Sequence, residues 1–412
     1  MGNPIKIQSE IGKLKTVVLR RPGLEIENLT PDYLGELLFE EIPYLHKIQE
    51  EHDYFADALR QQGTEVLYVD ELLAEALTTD VMKEEFLTAI LKQSNFLYGY
   101  TLDKVKEYLI EFPTRDMINK IMSGVRKDEL INITMQKSLL PLAMHRPFYV
   151  SPMPNLYFTR DPSACIGDGI VFSKMKESAR RRESLFMKFI VDYHEKFKTA
   201  NVPVWVDGLT YPFSIEGGDI LVLSKEVVAI GISQRTSVAA IEHISKNLFA
   251  NQSEIKKVLA VDIPKSRAFM HLDTVFTMLD RDKFSIHPRI LDRHGEIDSY
   301  TIEAADSDSR LRITHNKDIL MALKSVLRLT TIELIPCGGG DAIAAPREQW
   351  SDGTNTLALA PGVVMTYDRN YVTNKLLRQR GVEVIEIPSS ELSRGRGGPR
   401  CMSMPIFRED VS

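Results

Sequence analysis

The stretch FSIEGGDILVLSKEVVAIG, residues 213–231, is a short apolar run ending in an acid-bearing turn, with a second apolar run directly behind it. Glycines 217 and 218 punctuate the first run and β-branched residues fill the second, which reads as strand, turn, strand. A segment of helical period, TSVAAIEHISKNLF (236–249), comes next. The same order returns along the chain. NLYFTRDP (155–162) runs to Asp161 and is followed by CIGDGIVF (165–172). FMHLDT (269–274) reaches Asp273 before VFTML (275–279), and IELIPCGGGD (332–341) reaches Asp341 before AIAA (342–345). From Asp161 through Asp219 and Asp273 to Asp341 the intervals are 58, 54 and 68 residues. RNYVTNKLLRQRGVEVIEI (369–387) supplies another helical segment. KLKTVVLRRPG (13–23) reads as the start of one more unit, with Arg20, Arg21 and Pro22 at the matching strand end. Periods of about 40–60 residues point to repeated α/β units in a propeller or related closed array. The uneven spacing leaves an ordinary α/β protein as the alternative.

Residues 71–146 break this rhythm, being nearly free of strand signals. Leu87, Ile90 and Leu91 fall at helical spacing, as do Val105, Tyr108 and Leu109. Thr79, Thr101 and Asp128 are candidate N-caps, and Pro113 can open a helix. The expectation is an insertion of four or five helices within a single catalytic domain spanning 1–412. Its apolar stripes are read as core packing.

Over 412 residues, 43% hydrophobic and 26% charged residues describe a folded protein with a sizeable core. The net charge of −6 is spread in both signs along the chain, which argues against a nucleic-acid or membrane-surface partner. The N-terminus has no apolar leader, and no apolar run approaches the roughly 20 residues that span a bilayer. Cys165, Cys337 and Cys401 lie at no metal or redox spacing, so a cytoplasmic protein is expected.

RGRGGPRCMSMP (394–405) places Cys401 among Arg394, Arg396 and Arg400, with glycines that allow close approach. This cysteine reads as presented rather than buried, with cations that would favour its thiolate. An unimportant surface cysteine is the competing interpretation. Cys337 follows an apolar run without cations, and Cys165 reads as a core strand residue. His46, His52, His194 and His243 lie in charged amphipathic segments. His271 precedes Asp273 by two residues, so a strand there would project both to one face. Glu216 stands before a glycine pair, and Asn155, Phe158, Arg160 and Asp161 share one short stretch. Each alone is equally a solvated turn. Together, Asp161, Glu216 and Asp273 beside a cysteine and a histidine suit a cationic substrate, because carboxylates match a guanidinium in bidentate fashion. Arg180 in SARRRES (178–184) and Arg235 in SQRTS (233–237) could hold a carboxylate at its other end, which describes a guanidino amino acid.

FTRDP, IEGGD, HLDT and GRGGPRCMSMP, in this order and spacing, resemble the arginine deiminases of the guanidino-group-modifying superfamily. The resemblance extends over nearly the whole chain, from ELLFEEIP (36–43) to the terminal cysteine. It implies a pentein-type five-bladed α/β propeller of pseudo-fivefold ββαβ units, carrying the helical insertion. It also implies hydrolysis of L-arginine to L-citrulline and ammonia through a cysteine-bound S-alkylthiouronium, with neither metal nor organic cofactor. Cys401 would be the nucleophile and His271 the acid and then the base. Asp161 and Asp273 would hold the guanidinium, and Glu216 would support His271. Arg180 and Arg235 would bind the carboxylate, Asn155 and Phe158 would line the pocket, and Arg396 would belong to a mobile closing loop. Arg400 is left without a role. Relatives are commonly dimers or larger, so a homo-oligomer is expected. An amidinotransferase or methylarginine deiminase is the alternative within the superfamily, and a non-enzymatic scaffold the alternative outside it.

Overall fold

A computed structural model describes every residue except 1, 95–96, 131–136, 138, 140–146, 252, 292–296, 306–309 and 412. Among the described residues, five sheets share one plan. Val227–Ile232 pairs antiparallel with Ile220–Ser224 and parallel with Lys257–Asp262. A tight turn suffices for the first pairing, whereas the second requires a crossover, which the helix Val238–Ala250 provides. That helix buries Ala240, Ile241, Ile244 and Leu248, one apolar stripe at helical spacing. The central strand VVAIGI is covered on both faces and is correspondingly apolar throughout.

Three further units run Ser163–Ile166, Gly169–Phe172, Val204–Asp207, then Phe276–Met278, Lys283–Ile286, Glu333–Pro336, then Leu357–Ala360, Val363–Tyr367, Glu383–Ile387. The remaining unit joins the two ends of the chain: Met404–Arg408 is antiparallel to Leu14–Leu19, which is parallel to Glu65–Tyr68. A hairpin, Ser299–Ala304 with Leu311–Asn316, widens the 220–262 sheet.

The turn entering the first strand of each unit is the recurring feature that matters chemically. Asp161, Asp219, Asp273, Asn355 and Cys401 occupy it in the five units. Two sequence expectations are corrected here. IELIP ends in the third strand of its unit, and Asp341 is an exposed cap whose Oδ1 accepts from the amides of Ile343 (2.9 Å) and Ala344 (2.8 Å). Arg20 and Arg21 follow a central strand, not a first one. The confusion has a physical source, because glycine and aspartate mark turns and helix starts as readily as strand entries.

Helices Val69–Ala76, Asp80–Lys92, Gly99–Ile110 and Thr114–Ser123 occupy the irregular region. Thr79 caps its helix, accepting from the Met82 amide at 3.3 Å, and Pro113 is the N-cap residue of the last. Thr101 lies inside a helix and Asp128 in a short 3-10 turn, so neither is the N-cap of an α-helix. The expectation for 131–136, 138 and 140–146 falls outside the described residues. Phe86 meets Phe186 and Phe189 edge-on, at 5.5 and 5.2 Å, and so packs the insertion against the helix Glu183–Tyr193.

Candidate active site

Cys401 is only 4% exposed, which corrects the expectation of a presented cysteine. Its amide donates to Asn355 Oδ1 at 3.0 Å and its carbonyl accepts from the Arg160 amide at 3.1 Å. The thiol lies 3.7 Å from Asp273 Oδ2. Burial, with Asp273, Asp161 and Asp352 adding negative charge, pushes the thiol well above its ordinary pKa, and Arg400 opposes only in part. Arg394 turns outward to Glu41 and Glu391 and does not face the sulfur. The unliganded protein therefore holds a neutral thiol at neutral pH. Its alkylation by iodoacetamide is expected to stay slow until well above pH 9, and a plateau already reached at neutral pH would contradict this.

His271 is not on a strand: it is the residue opening the 3-10 turn Leu272–Thr274, and that turn brings imidazole and carboxylate together. Its Nε2 lies 2.7 Å from Glu216 Oε2 and its Nδ1 3.7 Å from Asp161 Oδ1. Burial disfavours the imidazolium, but Asp161, Glu216 and Asp219 together overcome it and raise the pKa to about 9. Glu216 is fully buried, which favours protonation, yet Arg235 and His271 hold its pKa down to about 2. Gly218 allows this approach, since a Cβ there would stand 2.7 Å from His271 Nδ1 and 2.9 Å from Asp161 Oδ1.

Asp273 Oδ2 accepts from Arg400 Nη1 at 2.8 Å, and Arg400 also contacts Glu10 at 3.0 and 3.2 Å and the Ile220 carbonyl at 2.8 Å. Arg400, given no role from sequence, thus ties two units and the N-terminal segment to the centre. The other oxygens differ: Asp161 Oδ1 and Asp273 Oδ1 are buried without a hydrogen-bond partner. Each belongs to a carboxylate whose other oxygen is fixed by an arginine.

Arg180 is such an arginine. Nη1 donates to Asp161 Oδ2 at 2.5 Å, and Nε and Nη2 bind Glu183 at 2.9 and 2.8 Å. The structure therefore places Arg180 behind Asp161, with its donors engaged within the protein, rather than open toward a carboxylate. Arg235 is buried near Glu216, with Nη1 at 3.8 Å and an unpartnered Nε. Asn155 spends its amide on the Leu37 carbonyl at 2.7 Å, and the carbonyls of Asn155 and Phe158 both receive Arg180 Nη2. Phe158 packs under the glycines of the cysteine loop: a Cβ on Gly397 would meet its ring at 2.3 Å. Arg396 is buried, with Nε and Nη1 unpartnered.

Four contributors escaped the sequence reading. Asn355 carried a usable signal, since DGTNT (352–356) is a turn before the apolar LALA, as in the other units. Asp219 was visible in the repeat, but its function depends on distant groups. Its carboxylate accepts from the Leu272 amide at 2.8 Å and from Ser233 Oγ at 2.6 Å, locking two site turns together. Asp352, with a left-handed backbone and a buried unpartnered Oδ2, is pushed up to about 7 by burial. Glu10 carried no signal, because its partner is 390 residues away. Among the described residues no group of three His, Cys, Asp or Glu is arranged to hold a metal ion.

The fold and site define a class: a mixed α/β protein with a cysteine, a histidine and paired carboxylates at the strand entries of repeated units. A family model described as arginine deiminase matches residues 35–408, and the chain belongs to that family. An arginine deiminase of Bacillus cereus is 59% identical over 413 residues, covering 100% of both chains. That of Latilactobacillus sakei is 54% identical with the same coverage. Among solved structures, an amidinotransferase of the saxitoxin pathway from Microseira wollei is 13% identical, covers 99% of this chain and 98% of its own, and gives a TM-score of 0.58. A dimethylarginine dimethylaminohydrolase adduct, 15% identical with coverages of 95% and 99%, gives 0.52. These two share the fold. Among the described residues no helix is long and apolar enough to cross a membrane.

Proposed function

We propose that this chain hydrolyses L-arginine to L-citrulline and ammonia in arginine catabolism, as an arginine deiminase. The observation that carries the reading is the pair of buried oxygens without a hydrogen-bond partner, Asp161 Oδ1 and Asp273 Oδ1, on carboxylates that stand beside His271 and Cys401 respectively. A planar cation supplies donors to both, and the arginines behind them keep both carboxylates oriented.

The chemistry follows from the electrostatics. A guanidinium between Asp161 and Asp273 neutralises the charges that oppose thiolate formation, so substrate binding itself lowers the cost of ionising Cys401. Once the guanidinium is seated the thiol proton passes to solvent, and the resulting thiolate bonds to the guanidinium carbon. His271, protonated at neutral pH, gives its proton to the departing nitrogen, and the C–N bond breaks to release ammonia. The S-alkylthiouronium remains on Cys401. Neutral His271 then removes one proton from water as the oxygen adds to the same carbon; the C–S bond breaks, the remaining hydroxyl proton passes to the departing sulfur to restore the thiol, and citrulline is left. Arg235 and Arg396, each with a buried Nε that lacks a hydrogen-bond partner, take the substrate carboxylate, while Asn155 and Phe158 line the pocket. Arg180 is read as the holder of Asp161.

The five units are read as the blades of a pentein-type propeller, with residues 71–146 as an insertion in one catalytic domain. Their common strand-entry turn supports this, since contacts link the turns of all five units: Cys401 with Asn355 and Asp273, His271 with Asp161, and Leu272 with Asp219. A cytoplasmic homo-oligomer is the accompanying reading, and three unpaired cysteines suit a reducing compartment.

The deciding measurement is product analysis after dialysis against a chelator: equimolar citrulline and ammonia from L-arginine are expected. Transfer of the amidine to an added amine, or no turnover of L-arginine, would reject the assignment. The pH profile has a defined sign. As pH rises through about 9, His271 loses the proton it donates, so kcat/KM is expected to fall there. Its raised pKa also contributes stability that is full below about 6.5 and lost through about 9. Glu216→Gln removes a group that raises that pKa, so the alkaline fall should move to lower pH; an unmoved limb would assign it elsewhere.

A further inference from the structure

Arg396 lies over an indole ring. Its guanidinium carbon is 3.4 Å from the centroid of Trp350, the last residue of the helix Ala344–Trp350. A guanidinium stacked on an aromatic face keeps its in-plane N–H edge clear, and that edge matches a carboxylate. The Arg396 edge is clear here: Nε and Nη1 are buried without a hydrogen-bond partner, although the side chain is only 8% exposed. Glu40, the nearest carboxylate in an ion pair with it, stands 3.9 Å from Nη1 and is engaged by Arg267 at 2.9 Å. The backbone of Arg396 is left-handed at φ 62°, a conformation that costs energy outside glycine. Asp352 and Glu40 supply the negative charge near this guanidinium, and Trp350 is the surface on which it rests.

Trp350 is itself unusual. It is 49% exposed, whereas the only other tryptophan, Trp205, is 1% exposed within the core. Asn355, which receives the Cys401 amide, follows it on the same turn. One segment of one unit therefore grips the cysteine loop twice, at Arg396 through Trp350 and at Cys401 through Asn355.

We infer that Trp350 is a positioning residue for substrate recognition, presenting Arg396 edge-on to the carboxylate of the amino-acid substrate. The inference rests on the functional reading above and adds to it the residue that sets amino-acid specificity. It acts through Arg396 and does not touch the reacting carbon.

The test compares wild type, Trp350→Phe and Trp350→Ala on L-arginine and on agmatine, the same guanidine without the carboxylate. For Trp350→Ala the KM for L-arginine is expected to rise about tenfold with kcat nearly unchanged. The KM for agmatine should stay put, and Trp350→Phe, which keeps a ring, should fall between. Arg396→Ala combined with Trp350→Ala should be no worse than Arg396→Ala alone. A second readout avoids turnover: L-arginine added to Cys401→Ala should change the tryptophan emission, and Trp350→Phe in that background should abolish the change. Equal KM increases for both substrates, or wild-type behaviour of Trp350→Ala, would overturn the inference alone. Absence of L-arginine turnover and binding in the wild type would instead remove the functional reading, and this inference with it.

Discussion

Cys401→Ala is expected to form no detectable citrulline, a loss on the order of a millionfold in kcat. The reason is covalent. Without the sulfur, water must attack a guanidinium whose charge is delocalised over three nitrogens, and the neighbouring groups are already committed. Asp273 is fixed by Arg400 and Asp161 by Arg180, while His271 is bound to Glu216. Cys337 and Cys165 are no substitutes: burial pushes their thiols up to about 11 and about 12, within the packed core. Cys337→Ala and Cys165→Ala should thus turn over like wild type once folded. The Cys401→Ala variant should still bind L-arginine, because the carboxylates and arginines are untouched. Rapid mixing of wild type with L-arginine, acid quenching and mass measurement should show the amidine adduct on the peptide containing Cys401. Measurable turnover by Cys401→Ala, or an adduct on another residue, would overturn the assigned nucleophile.

The second large effect is on stability. Arg400→Met is expected to destabilise the fold by about 3–5 kcal/mol, the range for breaking a buried ion pair from one side. Arg400 is 1% exposed and joins Glu10 to Asp273, both buried, so its removal strands two carboxylates in the interior. Burial acts to raise the Glu10 pKa, but Arg400 and Arg160 bring it down to about 2. A depressed carboxylate contributes stability above its unfolded pKa, and that contribution is lost as pH falls toward about 2. With Arg400 replaced, Glu10 protonates at higher pH, so the acid unfolding midpoint should move upward. Adding Glu10→Gln should recover part of the lost stability, because a neutral amide is cheaper to bury alone. Denaturant titration of the single and double variants measures both effects; a single variant within about 1 kcal/mol of wild type would show the cluster to be solvated.

Much of the site was legible because its residues are chemically specific and lie in a few short segments. Asp161, Glu216, His271, Asp273 and Cys401 need only local signals: a turn, an acid and an apolar run. The structure then brings them within contact of one another. The unit period was also visible, yet it misplaced Asp341, whose turn caps a helix. Local sequence encodes that a turn exists, not which turn of a unit it is.

The sequence by itself determined the family, the repeated α/β plan, the helical region and the candidates for the reacting groups, because these rest on residue type, order and period. Only tertiary structure decided the state of those groups. Cys401 looked cationic and open in its own segment, but three acids from other segments and near-complete burial make it a resting thiol. Arg180 looked free and is held by Asp161 and Glu183. Arg400 looked incidental and is joined to Glu10 across almost the whole chain. The cause is common to all three: charge and desolvation depend on distance in space, and neighbours in space are chosen by how the units pack together.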